Sequence, residues 1–274
     1  MNAVQRPIVR TSAVTIFSLA LLFFLSASYG AEDDCERQLG EDIRWVFLGF
    51  LFAVVLGDIA SKFVRLFGDW DRTRAVSLAR LSHLVLTLTV VLLSWIGWSL
   101  SVLHCVYPQP KLVFEVPTLF AFVDVVILTS YYALATGVDV HDAANGKLPS
   151  ARHMLLWSMI IFIAYFLWDV LVAFVHPERD ANFWQYGWVI SLICSALAST
   201  AFGILRNHTP RHPPNAYFVY ATDACLMSLF FAFRAVKQAL YLLPKDHSAF
   251  QLWASVSTVL LLSFLFFLIR AWRI

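Results

Sequence analysis

The sequence predicts an all-α, polytopic membrane protein of about eight transmembrane helices. Three observations carry this. The 274 residues are 60% hydrophobic and only 14% charged, against roughly 25% charged in soluble domains. The apolar residues fall in long runs, which is the signature of membrane spans. The connections between runs are short, about ten to fifteen residues, so no stretch could fold as a separate soluble domain. The expectation is one transmembrane domain over residues 1–274.

Eight segments are long and apolar enough to span: 12–30, 43–66, 81–105, 114–137, 153–175, 184–205, 216–242 and 250–270. The first follows Arg6 and Arg10 and ends in SASYGAED, which has the form of a signal peptide. We read it as an uncleaved helix. Lys and Arg set the orientation. With the N-terminus inside, thirteen basic residues fall on the inner side and five on the outer, while Arg234 and Lys237 lie within the seventh segment. Both termini are therefore expected in the cytoplasm, the membrane being a bacterial inner or plasma membrane. The acidic loop AEDDCERQLGED then falls outside. The near-neutral net charge and the lack of basic runs or RNA-binding motifs exclude a nucleic-acid partner. The expected partners are the bilayer, a transported ion or small solute, and a second copy of the chain.

Cys35 and Cys105 fall on the same outer side and form a candidate disulfide. Cys194 and Cys225 lie within helices and read as small apolar packers. With no C-x-x-C, thiol–disulfide catalysis is not expected.

The chain also carries a candidate inverted repeat, residues 43–137 and 153–242. Sliding FLFAVVLGDIASKFV onto IFIAYFLWDVLVAFV places Asp58 on Asp169. Sliding DVVILTSYYA onto DACLMSLFFA places Asp124 on Asp223. Two tandem units of three spans must have opposite orientations, as in many secondary transporters.

The ionisable residues within spans sort by depth. Helical rise puts Asp58 and Asp223 roughly 10–12 Å from the inner boundary. His83 opens its span on that side, and Lys62 lies one turn beyond Asp58. Asp124, Asp169 and Arg234 share an outer level, roughly 10–13 Å in. Lys237, nearer the surface, reads as a snorkelling residue. Residues 223, 227, 230, 234 and 237 share one helical face. That face is polar at both ends and apolar between, so Met227 and Phe230 are a candidate gate. Intramembrane ionisable groups are costly and mark ion or proton pathways.

Other chemistry finds less support. His208 and His212 have H-x-x-x-H spacing, but in a proline-rich loop rather than on a helix face, so no metal site is expected. The two-histidine pairs His83/His104 and His153/His176 sit at segment ends, which does not suit haem, and no cofactor is expected. Trp95 and Trp98 share a face, which suits either the lining of a pocket or, the commoner case, packing against lipid. The run SALASTAFG should let its helix approach a neighbour closely.

LGDIASKF with His83, and later TDACL, resembles the Gly-Asp and Ser-Asp motifs of the eight-helix lysoplasmalogenase family. The resemblance covers about a tenth of the chain. The family's early Lys-Pro motif is absent, and Thr222 stands where its second motif has Ser. It would imply an intramembrane lipid-acting hydrolase with Asp58 and Asp223 as catalytic carboxylates. The leading expectation is instead a small transporter or channel moving an ion or proton-coupled solute past Asp58, Asp124, Asp169, Asp223, Arg234 and His83. A third reading is a non-catalytic membrane subunit or sensor.

Overall fold

The computed structural model describes residues 43–68, 74–103, 116–138, 148–175, 181–207, 216–241 and 247–272. Among these it is all-helical. The helices are α1 (Ile43–Gly68), α2 (Arg74–Leu103), α3 (Val116–Thr136), α4 (Ala151–Val175), α5 (Ala181–Asn207), α6 (Ala216–Tyr241) and α7 (His247–Trp272). The expected span 12–30 and the candidate disulfide Cys35–Cys105 lie outside the described residues.

Among the described residues, four helices are long and apolar enough to cross a bilayer, over Ala75–Ser99, Leu119–Thr136, Ala151–Ala173 and Ala216–Lys237. Shorter apolar stretches run Trp188–Gly203 and Ala254–Arg270. In α1, Asp58, Lys62 and Arg65 interrupt the apolar run. These helices satisfy their own backbone, which hydrocarbon requires. Many of their exposed side chains are large and apolar, such as Phe122, Leu262 and Phe266, as lipid-facing positions should be.

Sequence neighbours pack together where loops are short: α3 on α4, α4 on α5, and α6 on α7. The last pair is pinned by an exchange of bonds. Ser228 Oγ donates to the Ser257 carbonyl at 2.9 Å, and Ser257 Oγ returns a bond to the Ser228 carbonyl at 3.0 Å. Cys194 and Cys225 are free thiols within their helices.

One contact joins the two halves of the chain and positions everything that follows. Helix α2 packs along α6. His83 meets Asp223 near one end of this seam. Near the other, a methyl carbon at Gly97 would lie 2.9 Å from Arg234 Nη1. Contacts advance in the same order along both helices, so α2 and α6 run in the same direction. Such a pair cannot be adjacent in sequence, because a short loop reverses direction. The intervening helices bring them together. The corresponding pair from the repeat, α5 and α3, is not packed to a similar extent.

Between the two ends the buried residues are mainly apolar, and Thr87 turns its hydroxyl to the His83 carbonyl of its own helix. Val90 and Val91 of α2 are fully buried. Phe230 of α6 is buried and stacks on Phe162 of α4, with centroids 4.4 Å apart.

Candidate functional site

The seam carries two polar centres. The larger is a cavity of about 90 Å³. Its charged lining is Asp124 from α3, Asp169 from α4, and Arg234 and Lys237 from α6. The structure therefore brings Asp124, Asp169 and Arg234 around one space. It adds Lys237, and here the reading of a snorkelling residue is corrected. Lys237 is only 6% exposed. Its ammonium group is ion-paired to Asp169, and Ser191 of α5 donates to the other oxygen of the same carboxylate. The physical reason is that a deep carboxylate nearby offers more than the interface does. Phe233, one turn before Lys237, also offers its ring to the ammonium group at 5.4 Å.

Arg234 takes a different position. It lies against the backbone of α2 at Gly97, where any side chain would collide with the guanidinium. Glycine there lets the cation sit close to the neighbouring helix.

Aromatic rings form the cavity wall, among them Trp98, Trp168 and Phe233. The expected lipid-facing pair Trp95 and Trp98 in fact turns inward. Both pack on Phe52 of α1, with Trp95 edge-on at 4.7 Å. A ring on the inner face of α1 draws them from lipid.

Behind the wall lies a hydroxyl chain. Tyr131 of α3 donates to Ser94 of α2. Its hydroxyl lies 2.6 Å from that of Tyr165 of α4. The single Tyr131 proton is spent on Ser94, so Tyr165 donates to Tyr131. Tyr165 and Ser94 both line the cavity.

The second centre is smaller and sealed. His83 and Asp223 are both 0% exposed, and His83 Nδ1 lies 3.6 Å from Asp223 Oδ1. The other ring nitrogen, Nε2, lies 3.0 Å from the Leu134 carbonyl of α3. A carbonyl only accepts, so Nε2 carries a hydrogen. Nδ1 is then left facing a carboxyl group. A bare lone pair against a bare carboxylate, both out of water, would be repulsive and unsolvated. A further proton shared by the pair, on the carboxyl or on the imidazole, relieves this. Two neutral partners or two opposite charges result, and both are tolerable in a low dielectric.

The same helix end binds a second histidine. His153 Nε2 lies 2.8 Å from the Ala133 carbonyl. Each imidazole shares its acceptor: the Leu134 carbonyl also accepts from the Gly137 N–H at 3.2 Å, and the Ala133 carbonyl from Thr136 Oγ1 at 2.7 Å. Gly137 makes room. A methyl carbon there would lie 2.7 Å from His153 Cδ2 and 3.0 Å from His83 Nε2. His153 is itself set by the start of α4, where its backbone N–H donates to Ser150 Oγ at 3.3 Å, an N-cap arrangement.

Asp58 goes elsewhere. It is paired with Lys62 one turn along α1, and Lys62 lies 5.8 Å from the centre of the Tyr132 ring. Asp58 and Asp223 are thus engaged by different partners, although residue counting puts them at one depth. Of the candidate gate, Phe230 forms part of the cavity lining, while Met227 is partly buried against the core. Among the described residues, no group of three or more His, Cys, Asp or Glu side chains could hold a metal ion.

No protein-family model, curated protein or solved structure matches the chain. The reading of function therefore rests on the two centres.

Sequence reasoning passed over Tyr131, Tyr165, Ser94 and Ser191. Hydroxyls are common on apolar helices and usually bond to their own helix, as Ser195 does to the Ser191 carbonyl. The signal that distinguishes these four is a partner on another helix, which needs a third dimension to see.

Proposed function

We propose that this protein is a small proton-coupled membrane transporter. The cavity is its solute site, and His83 with Asp223 is its proton site. The observation that supports this best is their arrangement on one seam. Both centres lie between α2 and α6, separated by Val90, Val91 and the stacked rings of Phe230 and Phe162. Asp223 and Arg234 are eleven residues apart on α6, roughly 16 Å along its axis. An apolar plug between two buried polar centres is what alternating access needs. Solute and proton can each be reached from one side while the middle stays closed.

In this reading the bundle lies in a bacterial inner or plasma membrane with both termini cytoplasmic. Residues 43–137 and 153–242 act as inverted halves. Within each half all three helices touch one another, α1 with α2 and α3, and α4 with α5 and α6. The unpaired final helix α7 flanks the bundle and leaves an apolar face for lipid or a second copy.

A second reading is favoured by one specific feature. Asp169 is engaged by both Lys237 and Ser191, as a purely structural charge in a non-catalytic subunit would be. A lipid hydrolase is less well supported, since Asp58 and Asp223 have separate partners and no lipid reaches a fully enclosed carboxyl.

Purified protein in liposomes with a trapped pH dye separates these readings. The expected result is proton flux that Asp223→Asn removes. Unchanged flux in Asp223→Asn would sink the proton site. Absence of any flux, together with a stoichiometric partner on purification, would leave the subunit reading standing.

A further inference from the structure

We infer that the cavity binds an uncharged molecule through a flat aromatic ring, rather than an ion. This deepens the transport reading by naming the class of its solute, and it rests on that reading only for the direction of use. The binding chemistry stands on the cavity itself.

Rings are the first argument. Six of the sixteen lining residues are aromatic: Phe52, Trp98, Tyr165, Trp168, Phe230 and Phe233. That is more than twice the 16% share of aromatic residues in the whole chain. They come from α1, α2, α4 and α6, so the fold gathers them from across the sequence. They are held in place by one another and by other rings. Tyr165 and Phe233 lie within 5° of parallel, with centroids 5.2 Å apart. Phe230 stacks on Phe162. Trp98 packs on Phe52 at 6.0 Å, and Trp168 meets Phe120 edge-on at 5.7 Å. A wall fixed before a guest arrives needs little further ordering to receive it. Aromatic pairs gain beyond the area they bury, so this wall favours a ring over a saturated group of similar size.

The polar groups argue against an ion. The lining holds two carboxylates and two cations, and each is engaged within the protein. Asp169 is held by Lys237 and Ser191. Asp124 and Arg234 each make a further interaction of their own. The Phe233 ring already has the Lys237 ammonium group 5.4 Å from its centre. The hydroxyls close on themselves: Tyr131 bonds to Ser94 and Tyr165, and Tyr165 bonds to Ser94 as well. Each hydroxyl has one proton, so three bonds use all three. An ion entering this space competes with the protein's own groups at every pole. An uncharged ring displaces none of them. Pockets with apolar and aromatic walls and a few fixed polar groups are the usual sites for such molecules.

The opening sets how the ring enters. An enclosed apolar cavity of about 150 Å³ takes a benzene molecule. This one is about 90 Å³ but half-open, so the ring need not be wholly enclosed. The rest of its molecule can extend through the mouth, and the space sets no upper limit on it.

The test uses the purified full chain in lipid nanodiscs, with empty nanodiscs as the blank for partitioning into lipid. Binding is read as saturable retention of radiolabelled benzyl alcohol. The competitors are cyclohexylmethanol, which has the same skeleton with a saturated ring, and the ions benzoate and benzylammonium. Cyclohexylmethanol should compete about threefold to tenfold more weakly than unlabelled benzyl alcohol. The two ions should compete at least about tenfold more weakly. Trp168→Leu and Phe233→Leu each remove one ring and keep an apolar side chain. Each should shrink the preference for the aromatic alcohol over the saturated one, whereas a purely structural loss would weaken both alike. With two variants, one that fails to fold leaves the other as the test. Equal affinity for the two alcohols, tighter binding of either ion, or no saturable binding would overturn the inference. So would binding in detergent that is lost in nanodiscs, which would give the space to lipid. Proton flux that depends on Asp223, without binding of benzyl alcohol, would sink this inference and leave the transport reading. Binding without proton flux would do the reverse.

Discussion

The two ends of the α2–α6 seam bury ionisable groups in opposite ways. At the cavity, four charges meet with hydroxyls and open space. At the His83 end, two titratable groups meet fully enclosed. The first arrangement balances charge with charge and retains room for a guest. The second balances charge by retaining a proton. The difference teaches that burial alone does not mark function. What each centre can exchange depends on its space. A cavity can exchange a molecule. A sealed imidazole–carboxyl pair can exchange only a proton, and only after the helices part.

The comparison is broken most forcefully at Lys237. Lys237→Met should leave the Asp169 carboxylate buried without its cation, a change that costs about 3–5 kcal/mol in comparable buried pairs. Thermal unfolding in detergent would read it as a large fall in the melting temperature. Adding Asp169→Asn removes the stranded charge, and the double variant should recover most of the loss. A single variant as stable as the parent would show that the cavity end does not depend on charge pairing.

The next effect compares one substitution at both ends. Gly137→Ala drives a methyl group into two imidazoles that are held by helix-end carbonyls. Neither ring can move without losing its bond, so about 1–3 kcal/mol of destabilisation is expected. Gly97→Ala meets only the end of the Arg234 side chain, which can swing aside. It should cost little stability while displacing the guanidinium, so a near-normal melting temperature is expected. Equal losses of stability at both glycines would erase the contrast between a rigid end and an adaptable one.

These contrasts also show what could be read from sequence. Helical rise is nearly constant, so counting from span ends places Asp124, Asp169 and Arg234 at one level. The same counting places Asp223 near the level of His83, although the helix that carries His83 begins at Arg74, more than two turns earlier. Rotation about the helix axis is less legible. Arg234 and Lys237 are three residues apart and nearly share a face, and a few ångströms decide which of them Asp169 holds. The count likewise puts Asp58 level with Asp223, but its nearest cation is Lys62 on its own helix. Trp95 and Trp98 were legible as a pair, yet their inward turn depends on Phe52 of another helix. The seam itself could not be inferred. It joins helices separated by more than a hundred residues, through contacts that leave no local pattern.

The smallest structural change is expected at His83, and it sharpens the comparison most. His83→Gln keeps an N–H near the position of Nε2, so donation to the Leu134 carbonyl survives. It removes the nitrogen that faces Asp223, so no proton can pass between the two. Asp223 is then left in its enclosed site without an imidazole to exchange a proton with. Stability should change by no more than about 1 kcal/mol, the size of one hydrogen bond. Exchange of solute across liposomes should persist, since the cavity is untouched. Its dependence on a proton gradient should vanish. A variant that still concentrates solute against an imposed gradient would show that the sealed pair only fastens α3 to the seam. A variant that unfolds would show that the charge on His83, rather than its N–H, holds this end together.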